Sequence, residues 1–221
     1  MFGKKSIFVI AGLLAIGLGS AFAAPREDRY YMFVFGAQDQ ANTVRVSHTF
    51  AVFVKVKEQG VASRDAQIES HTISWMPSSL TLQPMRREPI PGVNLSLIDS
   101  LEWARSAGSR VKVWGPFRVK KELYDMAAVQ EERLNKTPLG HIVLDTKHRR
   151  KTGFNCIHAV SDLDNTQPAL ETGTAHGNEA SQMVVDHFRQ YVIPSQEPMD
   201  WLIGRLKLNA TEMRFATVAM K

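Results

Sequence analysis

The chain has a single cysteine, Cys156, among its 221 residues. One thiol excludes an intramolecular disulfide and a four-cysteine zinc site. Glycine and proline are modest, at 14 and 10 residues, in a chain 44% hydrophobic and 22% charged. Those proportions exclude a collagen-like, coiled-coil or disordered protein and leave a globular one. Internal repeats and low-complexity linkers are absent, and the length suits one domain of ordinary size. The excess of positive charge is small: 27 Lys and Arg stand against 22 Asp and Glu, a formal +5. No RNP, finger or basic-helix motif accompanies it, so a nucleic-acid partner is not expected.

Long apolar runs are confined to the beginning. Met1 to Lys5 is short and basic, Ile7 to Leu18 is almost wholly apolar, and Ser20 to Ala24 supplies small residues before Pro25. This is the order of a secretory signal, and about a dozen apolar residues fall short of the ~20 that span a bilayer. Residues 1–24 are therefore expected to be removed, leaving 25–221 as a single periplasmic or secreted domain with no transmembrane anchor. Loss of Lys4 and Lys5 takes the charge from +5 to +3.

What remains reads as strands first and helices later. Tyr30 to Gly36 (YYMFVFG) suits a buried strand. Val44 to Lys57 alternates, with Val44, Val46, His48, Phe50, Val52, Val54 and Val56 on one face, as a half-buried antiparallel strand does. Ile68 to Met76 is a further strand, with His71, Ile73 and Trp75 in line. Prolines at 77, 84, 89 and 91 predict a loop. Leu95 to Ala107 is a helix with a capping box of Ser96 and Asp99 and an apolar stripe of Leu97, Ile98 and Leu101. Arg110 to Phe117 alternates as a strand, Val119 to Leu134 is an amphipathic helix, and Gly140 to Asp145 is a strand. Cys156 to Leu163 and Ala180 to Val192 are helical in pattern. The expected fold is α+β, an antiparallel sheet packed by helices.

The run Phe154-Asn155-Cys156-Ile157-His158 carries the most chemistry. Asn155 is a good N-cap, so Cys156 opens a helix, where backbone N–H groups favour a thiolate. Cys156, Ala159, Val160 and Leu163 share a face, and that face is expected to meet the strands carrying His48 and His71. A cysteine, a base and an orienting group are what thiol-based acyl transfer requires. His158, two positions on, points elsewhere.

A histidine in one strand, a second in the next, and Asn-Cys-x-His opening a much later helix together resemble the permuted papain-like group. That group includes the NlpC-like peptidases and the lecithin–retinol acyltransferase-like enzymes. The resemblance implies Cys156 as nucleophile, His48 as base and His71 as its orienting partner, on a permuted papain-like domain. The helical region around 77–138 is then an insertion. The implied function is a cysteine hydrolase or acyltransferase attacking an amide or ester carbonyl in a cell-envelope polymer, a peptide or a lipid. The alternative is a secreted binding module that keeps the fold without catalysis.

Other residues point less sharply. His176 lies in a Gly/Thr-rich loop, where an exposed histidine needs no function. His187 shares a stripe with Val184 and Phe188. Cys156 and His158 lack a second pair for a metal, and no cofactor is called for. His141 and His148 flank a strand and a basic turn without an evident ligand set. Gln38 and Gln40 precede the His48 strand as candidate oxyanion donors.

Overall fold

The structure, a computed structural model, describes residues 27–57, 65–144, 153–196, 199–209 and 211–216. The leader expected at 1–24, the turn after Lys57 and the basic run with His148 lie outside the described residues.

The apolar run that begins at Tyr30 becomes β1 (Arg29–Gln38), buried from Tyr30 to Ala37. A strand with no polar face belongs in the middle of a sheet covered on both sides. It takes that place: the first sheet has the order β3-β2-β1-β6-β9, with β2 (His48–Lys57), β3 (Gln67–Ile73), β6 (Arg110–Val119) and β9 (Met213–Ala216). All neighbours are antiparallel except β6 and β9.

Strand alternation gives the sheet two dry faces. Phe33 and Phe35 of β1 join Phe50, Val52 and Val54 of β2 on one face. There they meet Ala104 of α1 (Leu97–Ser106) and Leu202 of α5 (Asp200–Arg205). Met32 and Val34 join Ala51 and Phe53 on the other face. That side is covered by α2 (Lys121–Lys136), α3 (Cys156–Ser161) and α4 (Gly177–His187).

A second sheet has the order β4-β5-β7-β8, from β4 (Trp75–Pro77), β5 (Ile90–Asn94), β7 (Gly140–His141) and β8 (Gly153–Phe154). It exists because the strand expected over 68–76 breaks at Ser74. Asn94 holds the break open from both sides, accepting the Ser74 N–H at 2.8 Å and donating to the Thr72 carbonyl at 2.8 Å. Gly92 of β5 is required by close approach, since a Cβ there would stand 2.0 Å from the Trp75 ring.

Other boundaries also move. Val44–Val46 is a 3-10 turn, so the alternating strand starts at His48. The strand expected over 140–145 keeps only Gly140–His141. Ser96 caps α1 through the Asp99 N–H as the capping box predicts, but Ile98 of the expected apolar stripe is 61% exposed. The region 77–138 contributes β6, hydrogen-bonded to β1, as well as two helices. The chain is thus a mixed α+β protein with two mostly antiparallel sheets and, among the described residues, five α-helices. Among those residues no helix is long and apolar enough to cross a membrane.

Candidate active site

Asn155 leaves β8 in an extended conformation (φ −87°, ψ 176°) and starts α3, its side chain accepting the His158 N–H at 2.8 Å. Cys156 is consequently the first helical residue, 8% exposed, on the sheet face that carries Ala51 and Phe53. Burial pushes its thiol up to about 11. The backbone N–H groups of Thr49, Cys156 and Ile157 act in the opposite direction without overcoming it. The helix start therefore holds a neutral thiol at rest and not the thiolate expected from the cap alone.

The expected triad does not assemble around this thiol. His48 is buried, but its ring stacks on Phe50 at 5.3 Å and meets Trp103 edge-on at 5.5 Å, on the face opposite Cys156. The period of two along β2 is the reason: Thr49 turns towards α4, bonding Ser181 Oγ at 3.0 Å, so its neighbour His48 turns away. His48 Nε2 lies 2.8 Å from Ser74 Oγ. His71 is further removed. It pairs with Phe53, roughly 17 Å along β2 from His48 and on the other face. Its Nδ1 bonds Glu131 Oε2 of α2 at 2.7 Å, and its ring packs 4.8 Å from Tyr124. Neither histidine holds the other.

A different histidine shares the space of Cys156. β7 and β8 run parallel with Gly140 opposite Gly153 and His141 opposite Phe154, two residues before the cysteine. Trp75 Nε1 donates to the Gly140 carbonyl at 3.4 Å and ties β7 to β4. His141 and Cys156 thereby line one cavity of about 310 Å³. His141 is 1% exposed, and neither ring nitrogen has a hydrogen-bond partner among the described residues. Burial lowers its pKa to about 4. His48 is pushed down to about 3, by burial first and then by the repulsion of a charged His141 ring.

The cavity opens at Leu144 and along 171–174, where Glu171, Gly173 and Thr174 are exposed. His158 also lines it, with Nε2 3.0 Å from the Leu170 carbonyl. His176 sits at the rim, Nδ1 2.9 Å from the Thr174 carbonyl and Nε2 2.8 Å from that of Asn42. Gln38 accepts the Asn178 N–H at 2.9 Å through Oε1, so that oxygen is engaged with the start of α4. Among the described residues no group of three or more His, Cys, Asp or Glu is placed to hold a metal ion.

No protein-family model, curated protein or solved structure matches the chain.

Proposed function

We propose that the protein is an exported cysteine hydrolase or acyltransferase of permuted papain-like type, with Cys156 as nucleophile and His141 as base. One observation carries this reading. A fully buried imidazole whose two nitrogens lack partners among the described residues lines an open cavity together with the chain's one thiol. An unsatisfied buried polar group costs about 1–3 kcal/mol, and a catalytic role is what such a cost explains. The order in the chain, base first and nucleophile at a later helix start, agrees with the permuted group.

The resting pair is neutral, a thiol with its proton and an imidazole able to take one. When a carbonyl enters, the Cys156 Sγ–carbon bond forms as the thiol proton passes to His141. The oxygen takes the negative charge near the Cys156 N–H. Collapse breaks the bond to the leaving group, which takes the proton from His141. Water, or an acceptor alcohol or amine, then attacks the thioester. His141 accepts its proton, the bond between the acyl carbon and Cys156 Sγ breaks, and His141 returns the proton to the departing sulfur. The carbonyl belongs to an amide or ester of the cell envelope, in a peptide, peptidoglycan or a lipid.

The raised thiol pKa favours a second reading, a binding module with an inert cysteine. Incubation with p-nitrophenyl butyrate followed by intact mass separates the two. The enzyme gains one butyryl group on Cys156, does not gain it as Cys156→Ala, and reacts at least a hundredfold more slowly as His141→Gln. A protein that stays unmodified and releases p-nitrophenol at the buffer rate is the binding module.

A further inference from the structure

The buried polar side chains around the cavity are almost all occupied by the protein itself. Ser47 Oγ donates to the Thr43 carbonyl at 2.8 Å, and Thr49 Oγ1 bonds Ser181. Asn155 Oδ1 is held by the His158 N–H and His158 Nε2 by the Leu170 carbonyl. Among the described residues, the ring nitrogens of His141 are the only buried side-chain nitrogens or oxygens of the lining without a hydrogen-bond partner. Much of the remaining wall is aliphatic: Val44, Leu82, Val143, Leu144 and Ile157. The exposed rim carries Glu171 and two threonines.

Such a chamber offers an occupant a wall more apolar than polar, with the unpaired imidazole nitrogens of His141 and the Cys156 thiol among its polar groups. A buried carboxylate or ammonium would lose its water and find no counter-charge among the buried lining side chains, which is strongly unfavourable. A methylene leaving water gains by burial. The volume of about 310 Å³ sets the scale, since a water-sized group takes about 30 Å³ and roughly ten such groups fit.

We propose that the cavity takes the neutral, apolar acyl group of an ester or amide, up to about ten carbons long, and that Leu82 limits its length. The choice rests on the acyl-transfer reading above. Leu82 is 6% exposed and comes from the loop between β4 and β5, outside every helix and strand. Its size can therefore change the chamber without disturbing the sheet or α3. The rim at 171–174 is left for the leaving group.

Two measurements on the full-length protein test this. In the first, p-nitrophenyl acetate, butyrate, octanoate and palmitate are compared, with the succinate half-ester as a charged analogue of butyrate. Expected is a kcat/KM rising by about fourfold per methylene to octanoate and falling at least tenfold at palmitate. The succinate half-ester reacts at least tenfold more slowly than butyrate. Leu82→Trp moves the optimum to butyrate and Leu82→Ala moves it beyond octanoate, each checked for an unchanged melting profile. Rates indifferent to chain length, greatest with palmitate, or equal for succinate and butyrate overturn the proposal.

In the second, calorimetry follows octanamide, acetamide and succinamate binding to Cys156→Ala, which cannot react. Octanamide binds at least tenfold tighter than acetamide, and succinamate binds no tighter than acetamide. Selective octanamide binding by a protein that turns over no ester removes the enzyme reading and leaves the acyl chamber standing. Turnover of every ester without octanamide selectivity does the reverse.

Discussion

His48 and Cys156 lie on opposite faces of the first sheet, although Thr49, the residue next to His48, turns its backbone N–H towards the cysteine sulfur. The two side chains are near in register and separated by the thickness of a strand. The histidine that shares a cavity with this thiol comes from the second sheet, at His141.

His141→Leu is expected to separate stability from activity. The leucine fills the same buried site without two unsatisfied nitrogens, so the melting temperature rises by about 2–4 °C for each kcal/mol recovered. Acyl transfer falls by about 10²–10⁴. A variant that melts lower and retains its kcat removes His141 from the chemistry.

Acid is expected to destabilise the fold early. His48 and His141 are neutral when folded, with pKa values lowered to about 3 and about 4, against 6.5 for an ordinary imidazole. The unfolded chain binds protons that the folded chain refuses, so stability is complete above about pH 6.5 and is lost as pH falls towards 4 and below. At about 1.4 kcal/mol per pKa unit the loss is of the order of several kcal/mol. Melting curves from pH 7.5 to 4 should slope steeply, and His141→Leu should flatten the slope. Equal slopes for the two proteins contradict the assignment.

His71 is expected to matter to the fold and not to turnover. His71→Gln weakens one of two contacts, with that of the Thr72 N–H, by which Glu131 fastens α2 to the edge strand β3, and should lower the melting temperature by a few degrees. Its kcat/KM for p-nitrophenyl butyrate should stay within twofold of the parent protein. A hundredfold loss in a folded variant would return His71 to the active site.

Asn155 couples the helix start to the thiol. Asn155→Ala removes the cap on the His158 N–H and should cost about 1 kcal/mol. Asn155→Asp keeps a capping oxygen and the stability, but places a negative charge beside Cys156, raising the thiol pKa and slowing acylation. Thermal melts and a pH–rate series on both variants read these effects. An aspartate variant that reacts faster contradicts them.

Periodicity exposed the strands and most of the helices. The alternation from His48 to Val56 and the apolar run from Tyr30 to Ala37 describe two central strands and both dry faces. The cap at Asn155 and the cysteine at a helix start were also legible, because those signals lie within a few residues. The partner of the cysteine was not. Which face α3 covers depends on β8 and on the break at Ser74, and no short window of sequence contains either. His71 shared an apolar stripe with Ile73 and Trp75, yet the chain changes sheets between Ile73 and Trp75. His141 left the weakest trace, a histidine after a glycine in a strand of two residues. The one available cue was two short segments, Gly140–His141 and Gly153–Phe154, bracketing a run of basic residues in the sequence and ending at Asn-Cys.

The parallel pairing of β7 with β8 sets His141 opposite Phe154, so strand register fixes how far His141 stands from Cys156 two residues on. The site is thus assembled from two fragments, one ending in the second sheet with His141 and one beginning there with Gly153. A protein nicked between them should keep His141 and Cys156 on one cavity for as long as the two pieces stay associated, so that a split form could be reconstituted by mixing its halves.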